Sequence, residues 1–426
     1  MATIHPFRGV RYNKAKVGDL SNVVTPPYDV ISAEAQEWYR RRHPESAVRL
    51  ILPVDDGCKY KNSAACLDEW LSLGALERDA EPSIYAVLQE FEVAGEKKRR
   101  LGFSCAVRLE DYENRTVLPH ENILAKPMGD RLNLMQATKS NFDSVFGLYS
   151  NSRVPEIIRP FTEREPDACA VDQDGVVCKL WKISDAAAIK AVQDELGNES
   201  ILIADGHHRY AAALAYRNQM RQSVGKVDPN APYEFVMMTL VSLSDSGLVV
   251  LPTHRLVGNV AGFNPEAFLL KLKDSFDVTP VPASELASAV EGQSSEKYVF
   301  GLYLGGGQAC VLKLKPSVKP ESVIDSPASN ALKQLDVSVL HSIILEKLLG
   351  IGAQEMSAQS NLSYTRNPEE AMRMVDDGSC QMLFLVNSTR VDEVDAVAAA
   401  GDKMPQKSTF FYPKLITGLL MRVMEF

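Results

Sequence analysis

A chain of 426 residues exceeds one ordinary domain and predicts two domains, or one large elaborated one. Hydrophobic residues at 45% and charged residues at 24% are ordinary for a soluble globular protein with a real core. The 46 Lys+Arg against 55 Asp+Glu give a net charge of −9, which argues against nonspecific nucleic-acid binding, since that rests on a basic face. A local basic pocket stays open.

The seven cysteines, at 58, 66, 105, 169, 178, 310 and 380, form no CxxC pair. An odd, scattered set suggests neither a disulfide framework nor a zinc site and fits a reducing cytoplasm. The opening MATIHPFRGVRY lacks the apolar run of a signal peptide. No uninterrupted apolar stretch of about 18 residues occurs, so no membrane span is expected. The expected location is cytoplasmic.

In chain order, Thr25-Pro26-Pro27-Tyr28-Asp29 is a rigid turn, because two prolines remove donors and restrict their neighbours. Ala33–Arg42 reads as a helix capped by Ser32. Val48–Leu52 reads as a buried strand and Asn62–Leu73 as a helix. Ser83–Glu92 and Arg100–Leu109 predict a hairpin about the polar turn AGEKK. Val117–Ile123 is a short apolar segment broken by Pro119, His120 and Glu121. Asp130–Thr138 is a helix and Val145–Tyr149 a strand. Asp185–Leu196 is a helix ending near Gly197, and Ser200–Ala204 a strand. The Ala-rich His207–Gln222 is a strong helix, and Phe235–Ser242 is an apolar strand. Beyond residue 260, Pro265–Phe276 is helical, and Lys297–Leu304 with Gln308–Leu314 form a hairpin around Gly305-Gly306-Gly307. A helix at Val337–Leu349, a strand at Met382–Val386 and a helix at Val391–Ala400 complete the pattern. This is α+β with hairpins, not a regular βαβ alternation.

The densest chemistry lies in Asp205-Gly206-His207-His208-Arg209, where an apolar strand passes through a glycine into a helix. The first helical turn carries free N–H groups and the positive dipole end. Gly206 allows close backbone approach. His207, His208 and Arg209 add donors suited to phosphate oxygens. Asp205 fits the N-cap position, a metal ligand or the orienting partner of a histidine. The plain alternative is a capped helix with solvated polar residues. No Walker A loop is present.

A second group is Leu118-Pro119-His120-Glu121 with Lys126, Asp130 and Arg131: Glu121 beside His120 suits a general base with an orienting neighbour, or a surface pair. A third, MPQKSTFFYPKLITG from Met404, offers Lys407, Ser408, Thr409 and Lys414 for a phosphate or carboxylate, unless it is a strand packing its aromatics. In the fourth, the prolines at 26 and 27 can present Tyr28 and Asp29 to a site or form a purely structural turn.

Together HPFRGVRYN, VTPPYDVIS, PHENI, DRLNL, IADGHHRYAAAL and MPQKSTFFYPK, in this order, resemble the domain-of-unknown-function family 1015 over almost the whole chain. That family is similar to the ParB/sulfiredoxin-like superfamily. The resemblance implies a ParB/sulfiredoxin-like core of mixed sheet and helices over 76–257. An elaborating N-terminal segment, 1–75, precedes it. A C-terminal α+β region, 258–426, follows, packed on the core or standing apart. The functional analogue within the superfamily is the free serine kinase, whose O-phosphoserine feeds cysteine biosynthesis.

By that resemblance the chain is expected to be a phosphotransferase acting on a small hydroxyl compound, first of all L-serine, with pyrophosphate or ADP as donor. Glu121 would be the base, oriented by His120. Asp205 and His207 would share in catalysis, and Gly206 to Arg209 would hold the donor phosphate. Lys126, Arg131, Lys407, Ser408, Thr409, Lys414, Tyr28 and Asp29 are candidate substrate contacts. Mg²⁺ is expected through phosphate oxygens, with Asp205 as its candidate protein ligand. The expected partners are the substrate and the donor, with no nucleic acid and no membrane; the oligomeric state stays open. The alternative is a phosphate- or nucleotide-binding regulatory protein without transfer chemistry. A sulfiredoxin-type reductase would need a cysteine in the turn, where His207 and His208 stand.

Overall fold

The apolar run Phe235–Ser242 is buried at every position, which places it inside a sheet covered on both faces. The computed structural model describes residues 1–352, 355 and 360–426. It divides the chain into two units, the first made of Met1–Pro119, Ile123–Val249 and Pro413–Phe426, the second of His120–Asn122 and Val250–Tyr412.

The first unit is built on strands β1 (Ile4–His5), β2 (Ile84–Val93), β3 (Glu96–Arg108), β4 (Val117–Leu118), β5 (Val145–Tyr149), β6 (Ala168–Val171), β7 (Val177–Ile183), β8 (Ile201–Asp205) and β9 (Phe235–Ser242). Their order is β4-β8-β5-β9-β3-β2-β7-β6, with β1 on β3. The sheet is mixed: β4 is parallel to β8 and β9 to β5, whereas β8–β5 and β9–β3 are antiparallel. The β2–β3 hairpin turns on Ala94 and Gly95 alone, both at positive φ, as two-residue hairpins require. The expected wider turn is therefore strand at Glu96–Lys98, whose polar side chains fit the exposed hairpin end.

The longer helices of this unit are α1 (Ala33–Arg42), α2 (Lys59–Ser72), α3 (Ala125–Thr138), α4 (Ala186–Leu196) and α5 (His207–Ser223). As expected, Ser32 caps α1 by accepting from Ala35 N–H. One expectation fails: Val48–Ile51 is a single helical turn, not a strand. It is buried against α2, and the Ser63 hydroxyl donates to the Leu50 carbonyl at 2.6 Å. A short run of three apolar residues around Arg49 fits a buried turn as well as a strand, and Pro53 stops its extension. The tail returns to this unit, pairing Arg422–Val423 with Ser140–Asn141.

The second unit holds a sheet of β10 (His254–Val257), β11 (Phe276–Val281), β12 (Val299–Tyr303), β13 (Ala309–Leu314), β14 (Leu362–Thr365) and β15 (Met382–Val386), in the order β11-β13-β12-β15-β10-β14. One face packs Val257, Phe300 and Phe384 on Leu340 and Ile344. The other packs Leu256 and Leu383 on Leu286 and Ala371. The helix expected at Val337–Leu349 is α-helical over Asp336–Val339 and then π-helical over Leu340–Leu348, a widening that apolar periodicity does not reveal. All seven cysteines are free thiols. No helix among the described residues is long and apolar enough to cross a membrane.

Candidate functional site

The buried strand β8 ends in Asp205, with a register shift against β5 between Ile203 and Asp205. Gly206 then takes φ 90° and occupies the N-cap of α5. A side chain is excluded twice over. The backbone is left-handed, and a Cβ would stand 2.9 Å from the Arg209 guanidinium, which folds back across the glycine. Asp205 is therefore not the cap. Its Oδ2 accepts from Arg209 Nη2 and its Oδ1 from Lys414 Nζ. Burial opposes ionisation of Asp205, but Lys414 and Arg209 outweigh it and hold the carboxyl well below the usual range.

Lys414 is delivered to this carboxylate by its own backbone. Gln89 of β2 donates to the Lys414 carbonyl at 3.0 Å, and Arg100 of β3 donates to the Pro413 carbonyl and to Gln89 Oε1. Arg100 also lies 4.7 Å from the centre of the Phe146 ring. The tail is thus clamped to the middle of the sheet, and the lysine of the YPK string meets the aspartate of the DGHHR string.

Around this pair lies a ring of further charges. Arg209 Nη1 donates to the Ser144 carbonyl. Neighbouring Asp143 is half-buried: burial raises its pKa while Arg209, the Thr417 hydroxyl and Arg131 pull against the rise. The Arg131 guanidinium sits 4.0 Å over the Tyr28 ring and donates to the Ile51 carbonyl at 2.9 Å. Tyr28 is pushed up to about 12, by burial first and then by Asp29. Asp130 receives Arg131, Lys59 at 2.8 Å and Tyr60 at 2.9 Å; against its own burial, these hold it at about 2.

The two histidines differ. His207 is only 2% exposed and lies near enough to Asp205 to help hold it ionised. His208 Nε2 accepts from the Leu124 backbone N–H at 3.0 Å, so that nitrogen carries no proton to offer a ligand. This bond ties the turn to the segment that follows β4. Because β4 is parallel to β8, the chain leaves both strands at one edge of the sheet, into Pro119 on one side and Gly206 on the other.

Of the residues expected to form a site, the structure gathers Tyr28, Arg131, Asp205, His207, Arg209 and Lys414 in the first unit, with Asp29 acting on Tyr28 and Arg209. Lys126 is exposed at the start of α3. His120, Glu121, Lys407, Ser408 and Thr409 are counted with the second unit. There His120 Nε2 meets Thr409 Oγ1 at 3.0 Å, Ser408 donates to the Pro405 carbonyl at 2.6 Å, and Lys407 is exposed with φ 56°. Sequence reasoning missed Asp143 and Thr417. The available signal was an acid two residues before an apolar strand, Asp143 ahead of Val145–Tyr149.

Both carboxylate oxygens of Asp205 are taken by cations, so it fits the role of counter-charge and not that of a direct magnesium ligand. Among the described residues no group of three or more His, Cys, Asp or Glu could hold a metal ion. What the turn offers chemically is the positive dipole end of α5, flanked by Arg209, Arg131 and Lys414.

Comparison with known structures returns distant likenesses. A free serine kinase in complex with AMP is 15% identical at a TM-score of 0.34, over 71% of this chain and 89% of that one. A conserved hypothetical protein from Pyrococcus furiosus is 14% identical at 0.34, over 71% and 92%. SbnI with a C-terminal truncation, from Staphylococcus aureus, is 9% identical at 0.34, over 74% and 85%. Likeness at this level carries no statement about substrate. No curated protein matches the chain. The model of a protein family of unknown function, DUF1015, matches residues 4–338. The chain therefore belongs to domain-of-unknown-function family 1015.

Proposed function

We propose that this protein is a phosphotransferase with a ParB/sulfiredoxin-like core, transferring a phosphoryl group to the hydroxyl of a small metabolite, with free L-serine the first-choice acceptor. The observation that carries the reading is the turn at Gly206. A glycine-only backbone opens the N-terminus of a 17-residue helix inside a cluster of buried cations. Such a turn suits an anion whose charge grows and shifts during reaction. Pyrophosphate or ADP is the donor. Its phosphate lies at the positive dipole end of α5, while Arg209 and Lys414, held in place by Asp205, supply positive charge. His207 stands in the same turn.

In the transfer step the serine hydroxyl oxygen attacks the terminal phosphorus. The bond from phosphorus to the bridging oxygen breaks, phosphate or AMP leaves with that electron pair, and the hydroxyl proton passes to the Glu121 carboxylate. Glu121 stands three residues before Leu124, whose N–H is bonded to His208. Arg131 and Tyr28 are assigned to the acceptor's carboxylate, with Asp29 beside them. Lys126, Lys407, Ser408 and Thr409 are assigned no contact. Magnesium, if bound, would come with the donor and supply further charge neutralisation; no residue of this chain is assigned to hold it.

The test is a screen of acceptors by liquid chromatography and mass spectrometry, with one donor at a time against L-serine, L-threonine, homoserine and glycerol. O-phosphoserine as the main product supports the proposal. Donor binding with no phosphorylated product from any acceptor would overturn the transfer step and favour a regulatory phosphate-binding protein.

A further inference from the structure

The string His5-Pro6-Phe7-Arg8 takes no part in the site at Asp205. It lines a separate cleft in the first unit, with a volume of about 220 Å³, bounded also by Asn230, Pro232, Phe235 and the tail strand at Arg422. That volume falls short of the roughly 300–1,000 Å³ of drug-sized sites and suits a compact ligand of one ring and one anionic group.

Its floor holds an unusual charge. Arg422 is 6% exposed, and its guanidinium donates only to neutral oxygens: Asn141 Oδ1 at 3.2 Å, the Phe235 carbonyl at 3.0 Å and the Pro232 carbonyl at 2.7 Å. These bonds engage Nη1 and one N–H of Nη2, leaving Nε–H and the second Nη2 N–H without a partner among the described residues. No carboxylate stands within 4 Å of it among those residues. Buried cations are ordinarily paired, because an isolated one forfeits its hydration without compensation.

The other charged groups around the cleft do not supply the missing anion. Among the described residues lining it the acid is Glu425, and that carboxylate is held by Arg8 at 2.9 Å and Arg78 at 3.5 Å. Arg108 adds a further positive charge, 5.1 Å from the centre of the Phe235 ring. The walls are flat and apolar: the His5 imidazole stacks on Phe235 at 4.4 Å and 28°, with Phe7, Pro6 and Pro232 nearby.

We propose that this cleft is a second ligand site, taking a small organic anion whose carboxylate or phosphate pairs with Arg422 and whose flat apolar or aromatic body lies against His5 and the proline walls. It shares no residue with the turn at Gly206 and does not depend on the phosphotransferase reading. It gives the N-terminal string a role that the transfer chemistry leaves unassigned.

The experiment is titration of the full chain with benzoate and with phenyl phosphate, followed by the ring carbon–proton NMR signals of His5 and by calorimetry. Acetate, inorganic phosphate and benzyl alcohol supply the anion or the ring alone. A saturable His5 shift is expected with at least one of the ring-bearing anions, at least about tenfold tighter than with any control. Benzoate tighter than phenyl phosphate would assign a carboxylate ligand, and the reverse a phosphate ester. Asn230→Trp, which adds bulk at the exposed rim, should abolish binding while leaving the melting temperature unchanged. Arg422→Gln should do the same if it folds, and Arg422→Lys should retain part of the affinity. No saturation by either probe up to about 10 mM would overturn the proposal, as would binding that survives Asn230→Trp unchanged.

Discussion

Replacing Lys414 by methionine keeps the length of the side chain and removes its charge from Asp205. The two side chains are 15% and 14% exposed, so solvent screens the pair little. Breaking a buried ion pair by removing one partner typically costs about 3–5 kcal/mol. Arg209 still holds the other oxygen of Asp205, so the low end applies, about 3 kcal/mol. In a unit of this size about 2–4 °C accompanies each kcal/mol, giving a fall of about 6–12 °C. The assay is selective, because all three tryptophans, Trp38, Trp70 and Trp181, lie in the first unit and their fluorescence follows its unfolding alone. Asp205 has its pKa depressed in the folded state, so its contribution is full above the ordinary carboxyl range and is lost as pH falls below about 4. The gap between wild type and Lys414→Met should therefore be constant near neutrality and close in acid. A double variant with Asp205→Asn should be less destabilised than the two single effects summed, by about 1–2 kcal/mol. A melting temperature within about 1 °C of wild type, or effects additive within about 0.5 kcal/mol, would refute the coupling.

Gly206→Ala is expected to destabilise the first unit by at least about 1–2 kcal/mol for the left-handed backbone alone, and to displace Arg209, read as a lower melting temperature together with weaker pyrophosphate binding. Arg209→Ala should weaken donor binding about tenfold and slow turnover; unchanged kinetics would remove it from the site. In the second unit, burial and then Arg255 lower His254 to about 4 and His341 to about 3. The unfolded chain binds protons that the folded unit refuses, so stability is full above about pH 6.5 and falls below it toward those values. The two histidines together cost about 3 kcal/mol between pH 8 and 5.5, and Asp336, pushed up to about 6 by burial, offsets about 1 kcal/mol. The protection factors of peptides spanning Val337–Leu345, corrected for the pH dependence of intrinsic exchange, should therefore fall over that range, and constant protection factors would contradict the assignment.

The strand–turn–helix at Ile201–Ser223 was legible because three local signals agreed: an apolar strand, a glycine and an Ala-rich helix. Its internal wiring was not. Asp205 reads locally as an N-cap, yet it serves as counter-ion to a lysine 209 residues away, a pairing that only the returning tail creates. Asp143 escaped notice for the same reason, since its partners Thr417, Arg209 and Arg131 come from three distant segments. Val48–Ile51 shows the limit of a short apolar run, which burial satisfies in either conformation. The polar side chains of Lys97 and Lys98 looked like a turn because the exposed end of a long hairpin carries the same residue types as a loop.

The central claim is that a phosphoryl group moves from donor to hydroxyl with Glu121 as base, and phosphorus NMR tests it most directly. Purified protein with Mg²⁺ and L-serine would be followed with pyrophosphate, ADP and ATP in separate tubes, beside Glu121→Gln. The account predicts an O-phosphoserine resonance with pyrophosphate or ADP. In the variant the rate should fall at least about tenfold, within the contribution of a general base, while melting temperature and donor binding stay near wild type. No product from any donor, or a fully active Glu121→Gln enzyme, would contradict it.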